Sequence, residues 1–139
     1  MPEITEEVKS SLKFLGYHIA SLVFTRNENF QDRPVEIKFD VTSRVSFLAS
    51  NTANVCIDLV LFPNMQTNNF PFTMNLSFVG EFKIENFNPE KDNKLFEINA
   101  VTILFPYLRA LVTTITANAN VPPLILPPIN VINLLRNKK

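Results

Sequence analysis

The stretch VTILFPYLRALVTTI, residues 101–115, and the stretch VPPLILPPI, residues 121–129, decide the fold of this chain. Apolar residues of the first stretch recur at helical spacing and form one stripe: Val101, Leu104, Phe105, Leu108, Val112 and Ile115. Because Pro106 lacks the N–H that an interior helical turn needs, the pattern predicts a helix that starts near Ile103 or bends there. The paired prolines of the second stretch fix an extended backbone. An amphipathic helix followed by a stiff apolar segment favours a protein that handles other polypeptides over an enzyme.

A short final helix is predicted after the proline-rich stretch. Asn130 is a suitable N-cap, and apolar residues follow it at Val131, Ile132, Leu134 and Leu135. The chain therefore ends in a second, shorter helix.

Alternation of apolar and polar residues is the clearest signal in the first two thirds of the chain. It predicts strands over residues 35–47 and 70–84, and a doubly apolar run predicts a central strand over residues 53–62. A further strand is predicted over residues 17–24, and Gly80 suggests a bulge. The expected fold class is α+β: a four-stranded antiparallel sheet with a long helix and a short C-terminal helix on one side.

Length and composition fit one domain spanning residues 1–139. The 13 acidic and 13 basic residues balance, so no net field favours nucleic acid or a membrane surface. Cys56 is the single cysteine, and the acidic N-terminus lacks the features of a secretory signal, which together predict a soluble cytoplasmic protein without direct membrane insertion. Thirteen Phe exceed what one small core needs, so exposed apolar surface is expected. The alternative is that all of them lie in the core or in a subunit interface.

Over residues 103–130 the chain resembles the SecB protein-export chaperones. The motif residues that carry this resemblance are Leu104, Phe105, Pro106, Tyr107, Arg109, Pro122, Pro128 and Asn130. The order of strands, long helix, proline-rich loop and short helix agrees with the family over residues 12–136. The resemblance implies a homotetramer, built as a dimer of dimers, that holds non-native polypeptides (its clients) in apolar grooves without ATP.

Apolar side chains of the strands and of the proline-rich stretch are the candidates for such a client-binding groove: Phe39, Phe62, Phe70, Phe72, Phe78, Leu124, Leu126 and Ile129. A groove of Phe, Leu and Ile would accept varied clients, because apolar burial is non-directional. For each residue, packing in the core or in a dimer interface is the alternative.

Two departures from exporting members of the family concern delivery of clients to the motor ATPase SecA. Acidic residues that dock SecA in those members correspond here to Ser21, Thr25 and Asn68, which are uncharged. From the basic end at Lys139 we also expect no counterpart of the tail that engages the motor's zinc-binding segment in those members. Two other functions therefore stay open: a SecB-like adaptor or dedicated chaperone of a single partner, such as an antitoxin, and a binding protein for a small apolar ligand.

Catalytic and metal sites find little support in the sequence. His18 is the only histidine and lies in a predicted strand, and the carboxylates are scattered rather than clustered. Gly16 and Gly80 stand alone, so no phosphate-binding loop is present. We expect no catalytic residue, metal or cofactor, and no nucleic-acid partner.

Overall fold

The computed structural model describes residues 12–48, 51–85 and 88–136. Four strands form one antiparallel sheet in the order β1-β4-β3-β2: β1 (Leu12–Arg26), β2 (Phe39–Leu48), β3 (Thr52–Leu61) and β4 (Phe72–Ile84). Within these described ranges, three helices accompany it: α1 (Met65–Asn68), α2 (Pro89–Asn118) and α3 (Val131–Arg136). This confirms the predicted α+β fold. Residues 1–11, which include the acidic N-terminus, lie outside the described residues.

The long helix α2 begins much earlier than the sequence predicted. It starts at Pro89, so the predicted start near Ile103 is wrong, and Pro106 lies inside the helix. The other predicted alternative, a bend at this point, stays a prediction. Proline is well suited to the first helical position, where its missing N–H has no partner in any case. Pro106 is tolerated because it lies on the exposed side of α2, where water can bond the carbonyl that it leaves free.

One face of the sheet and the apolar stripe of α2 form the core. Alternate residues of β3 and β4 point towards the helix and are fully or almost fully buried, including Ile57 and Phe78. Leu104 and Leu108 of α2 are equally buried against them. The predicted bulge at Gly80 is wrong, because the register shifts lie in β1, between Phe14 and Gly16 and between Ile19 and Ser21. Gly80 is instead required by close packing, since a Cβ there would collide with the side chain of Leu104.

The segment Asp92–Asn118 of α2 is long and apolar enough, by length and composition alone, to cross a membrane. In the structure this same segment supplies the core residues that pack on the sheet. Its Arg109 donates a hydrogen bond from Nε to the carbonyl of Leu126 at 2.9 Å. The apolar character of α2 is therefore explained by its place in the core.

Strand β1 lies at an edge of the sheet and leaves apolar side chains uncovered. Tyr17, Ile19 and Leu22 are paired with residues of β4 that face α2, yet they are themselves 39–45% exposed. We call these three residues the β1 patch. The ring of Tyr107 from α2 lies beside Tyr17, with ring centroids 5.1 Å apart, and is also exposed.

Candidate functional site

A cavity of about 550 Å³ lies at one end of the sheet, between two irregular segments. One wall is the crossover segment, residues 27–38 between β1 and β2; the other is the connecting loop, residues 119–130 between α2 and α3. Its apolar lining comprises Phe30, Val35, Ile37, Phe62, Pro71, Phe72, Val121, Pro122, Pro123, Leu124 and Ile125. Its polar rim includes Arg26, Asn27, Glu28, Asp32, Arg33 and Asn120. The cavity has the size usual for ligand pockets in proteins.

Phe62 forms the floor of this cavity from a strained backbone. Its φ of 51° places a bulky residue in the left-handed region, at a cost of about 1–3 kcal/mol. The conformation is held by a 2.8 Å hydrogen bond from the N–H of Phe62 to the carbonyl of Lys38 and by its two aromatic neighbours. The ring centroids of Phe70 and Phe72 lie 4.8 and 5.0 Å from that of Phe62. The chain thus ends β3 with a sharp turn that keeps an aromatic cluster beneath the cavity.

The crossover segment is fixed by the buried side chain of Asn27. Its Nδ2 donates to the carbonyl of Phe70 at 2.8 Å, and its Oδ1 accepts the N–H of Asn29 at 3.0 Å. The backbone N–H of Asn27 also donates to the carbonyl of Pro71 at 3.0 Å. Asn27 therefore ties the start of one cavity wall to the start of β4.

Arg33 attaches the same wall at a second point. Its guanidinium donates to the carbonyl of Asn69 at 2.8 Å, just after α1, and lies 5.7 Å from the centroid of the Phe30 ring. The positive charge of Arg33 is thereby directed at backbone carbonyls.

The connecting loop is held along α2 by side chains of the helix. Thr116 accepts the N–H of Leu124 at 2.9 Å, and the hydroxyl of Thr113 donates to the Leu124 carbonyl at 2.8 Å. Leu124 and Leu126 are buried, whereas Ile125 between them is 68% exposed. The loop is thus anchored by Leu124 and Leu126, and Ile125 between them is the exposed residue of the three.

The structure brings three of the eight predicted groove residues to the cavity: Phe62, Phe72 and Leu124. Phe70 packs against Phe62 with its ring tilted, and Phe39 and Ile129 are half-buried against the core. Phe78 and Leu126 are fully buried beneath α2 and the connecting loop. A binding role for these eight residues stays a prediction.

Sequence reasoning missed part of the lining, notably Phe30, Val35, Ile37 and Ile125. Val35 and Ile37 belong to an alternating run that predicted a strand, but β2 begins only at Phe39, and the residues before it form part of the crossover segment. The sequence carries no clear signal against a strand there, because Pro34 lies directly before the run and proline is compatible with the first position of a strand.

The motif residues mainly build the joint between α2 and the connecting loop. Leu104 and Phe105 are buried in the core, Arg109 bonds the Leu126 carbonyl, and Pro106 and Tyr107 are exposed. Asn130 caps α3 as predicted, since its Oδ1 accepts the N–H of Asn133 at 3.0 Å. Pro122 and Pro128 flank the apolar centre of the loop and are exposed.

The open face of the sheet, opposite α2, carries a polar cluster on β2, β3 and β4. Arg44 Nε donates to Asp58 Oδ2 at 3.0 Å, and the Ser77 hydroxyl donates to Asp58 Oδ1 at 2.7 Å. Burial raises the pKa of Asp58, but the hydrogen bonds from Ser77 and Arg44 outweigh it and hold that pKa below its ordinary value. Burial and the nearby charge of Asp58 raise the pKa of the Cys56 thiol, which disfavours a reactive thiolate.

The residues at the predicted SecA-docking positions are also exposed. Ser21 and Thr25 pair with Ser77 and Thr73 on this open face, and Asn68 ends α1. Within residues 12–48, 51–85 and 88–136, no group of three or more His, Cys, Asp or Glu side chains is placed to hold a metal ion.

Comparison with known proteins gives a consistent result. The family model described as preprotein translocase subunit SecB matches residues 19–139. An uncharacterized protein of Methanocaldococcus jannaschii is 35% identical over 133 residues, which cover 93% of this chain and 85% of that protein. Protein-export protein SecB of Neorickettsia sennetsu is 29% identical over 102 residues, which cover 69% of this chain and 62% of that protein. The chain therefore spans less than two thirds of that export protein.

A solved structure shares the fold. It is the SecB-like chaperone Rv1957 of Mycobacterium tuberculosis, in complex with a ChAD peptide from the antitoxin Rv1956 HigA1. The match has a TM-score of 0.70 and 16% sequence identity, and covers 88% of this chain and 92% of that one. The order of strands and helices described above is thus an architecture already seen in a chaperone.

Proposed function

This chain belongs to the SecB family, and we propose from that premise that it is an ATP-independent holdase, which keeps unfolded or slowly folding polypeptides in the groove between the crossover segment and the connecting loop. Family membership confirms the prediction of a chaperone rather than an enzyme. The observation that carries the proposal is the preformed apolar cavity. An unfolded polypeptide exposes apolar side chains that can fill such a cavity, whereas a folded protein buries them.

The chemistry of the cavity suits clients of varied sequence. Its lining is aromatic and aliphatic, and apolar burial demands no particular geometry. A client Leu or Phe side chain fully buried there contributes about 1.5–3 kcal/mol before ordering costs are subtracted. One such contact is weak, so useful affinity requires several grooves on one particle.

The β1 patch supports assembly into such a particle. An edge strand with exposed backbone groups and adjacent apolar side chains is a template for pairing with another chain. Pairing of two β1 strands would cover the patch and continue the sheet. We propose a homotetramer, a dimer of dimers, located in the cytoplasm.

What happens to a client after it is bound is a separate proposal. Exposed and uncharged residues at positions 21, 25 and 68 favour a dedicated chaperone of one partner, such as an antitoxin, over delivery to SecA. An export role would require another docking surface for the motor on this chain.

The test compares one labelled polypeptide in a permanently unfolded form and in its native form, with binding followed by fluorescence anisotropy. The wild-type protein should bind only the unfolded form, and Ile37→Ser, which removes an exposed part of the cavity lining, should weaken that binding several-fold. Leu48→Ser is the matched control, because Leu48 is a similarly exposed residue outside the cavity. Equal or absent binding of the two forms would refute the holdase and leave an adaptor for a folded partner.

A further inference from the structure

The main-chain polar groups of the connecting loop point to two different sides. The N–H and the carbonyl of Leu124 and the carbonyl of Leu126 all bond side chains of α2: Thr116, Thr113 and Arg109. In an extended backbone, the polar groups of neighbouring residues point in opposite directions. The N–H and carbonyl of Ile125 therefore point away from α2, and they hydrogen-bond no other described residue. Ile125 is also one of the residues that line the cavity.

Prolines on both sides isolate this position. Pro122, Pro123, Pro127 and Pro128 carry no N–H, so they cannot donate to a neighbouring strand. Ile125 is thus the one residue from 122 to 128 that has both a main-chain donor and an acceptor pointing away from α2. A longer free edge would invite aggregation, and the flanking prolines prevent it.

We propose that Ile125 forms an antiparallel pair with a single residue of the bound client, with which it exchanges both main-chain hydrogen bonds, and thereby fixes the register of the client as an extended strand. This inference rests on the proposed function and specifies the client conformation that the groove selects. Main-chain pairing provides affinity without regard to sequence, whereas side-chain pockets provide selectivity. Directly paired residues place their side chains on the same face. The paired client side chain therefore lies beside that of Ile125, which lines the cavity.

The experiment uses a soluble synthetic peptide that alternates Phe with Ser, in three forms: unmodified, N-methylated at every Phe, and N-methylated at every Ser. The two methylated peptides carry the same side chains but each blocks a different edge of the extended backbone. Because the paired residue is the one whose side chain enters the cavity, the Phe-methylated peptide should lose about tenfold in affinity, as expected for one to two hydrogen bonds. The Ser-methylated peptide should bind about as well as the unmodified one.

A measurement on the protein itself completes the test. Saturation with the unmodified peptide should slow hydrogen exchange of the Ile125 amide by at least about tenfold, and Ile125→Pro should weaken binding well beyond Ile125→Ala, which keeps the N–H. Binding of the unmodified peptide with equal affinities for the two methylated forms and unchanged Ile125 exchange would overturn the inference alone. Failure of the wild-type protein to bind any of these peptides or the unfolded polypeptide would overturn the proposed function with it.

Discussion

The hydroxyl of Thr116 accepts the N–H of Leu124 at 2.9 Å, and both groups are buried where α2 meets the connecting loop. This bond joins the longest helix to the connecting loop, which is one of the two irregular walls of the cavity. The position of that wall is therefore set by a side chain of α2.

Replacing Thr116 with Val should lower both stability and client affinity. Valine keeps the shape but leaves the buried N–H of Leu124 without an acceptor, which costs about 1–3 kcal/mol. Denaturant unfolding at fixed protein concentration measures the loss. Thr114→Val is the control, because the exposed hydroxyl of Thr114 bonds only the Ala110 carbonyl of its own helix. Equal destabilisation by both substitutions would mean that helix propensity, and not the loop contact, is responsible.

Asn27→Ala should loosen the opposite wall. The substitution removes the side-chain bonds to the Phe70 carbonyl and to the N–H of Asn29, so we expect a loss of about 1–3 kcal/mol in the free energy of unfolding. Client binding should weaken although every apolar lining residue is retained. Asn29→Ala is the matched control, since Asn29 takes part in this network only through its backbone. Unchanged client affinity in Asn27→Ala would show that the crossover segment does not shape the groove.

Gly80→Ala should destabilise the core by about 1–3 kcal/mol through overpacking. The added methyl group would overlap the side chain of Leu104, which is fully buried. Leu104→Ala alone should cost about 2–5 kcal/mol by leaving a cavity. The double substitution should be more stable than the sum of the two losses predicts, because each relieves the other. Strict additivity would contradict the close packing of α2 on β4.

Acid stability should depend in part on Asp58. Its pKa lies below the ordinary value in the folded protein, so its contribution to stability is present above that ordinary value, about 4, and is lost as the pH falls through the lower folded value. Asp58→Asn should therefore reduce the free energy of unfolding at pH 7. On acidification, the free energy of unfolding of the variant should fall less than that of the wild-type protein. Urea unfolding across the acid range provides the profile. Asp40→Asn is the control, because no described residue forms a hydrogen bond or ion pair with the Asp40 side chain; an identical profile for both would refute a specific role for Asp58.

The assembly prediction can be tested on its own. Light scattering should give a mass about four times the 15.9 kDa of one chain. Leu22→Lys places a charge in the β1 patch and should shift the protein to smaller species, whereas Leu48→Lys, on an exposed position outside the patch, should leave the mass unchanged. A wild-type monomer would show that the patch has another use.

The strands were predictable because a sheet that is buried on one face requires apolar and polar residues to alternate along each strand. This alternation can be read from adjacent residues in the sequence. The start of α2 was not predictable. A proline within a helical pattern suggests a helix start or a bend whether it faces the core or the solvent, and only the packed helix shows that Pro106 faces outwards. The cavity depends on contacts such as that between Asn27 and Phe70, which are 43 residues apart in sequence. No local pattern encodes that distance, so Ile37 and Ile125 could be placed at the groove only by the structure.

The proline-bounded connecting loop also has a kinetic consequence. Since its backbone is already held in the extended form by α2, the wall has little conformational freedom left to lose when a chain docks, and no lid among the described residues must open to let it go. On the proposed function, the residence time of a client is then set by the client's own contacts. A chain that folds quickly between encounters escapes, while a slow one is captured again, so the protein sorts its clients by folding rate without any energy source.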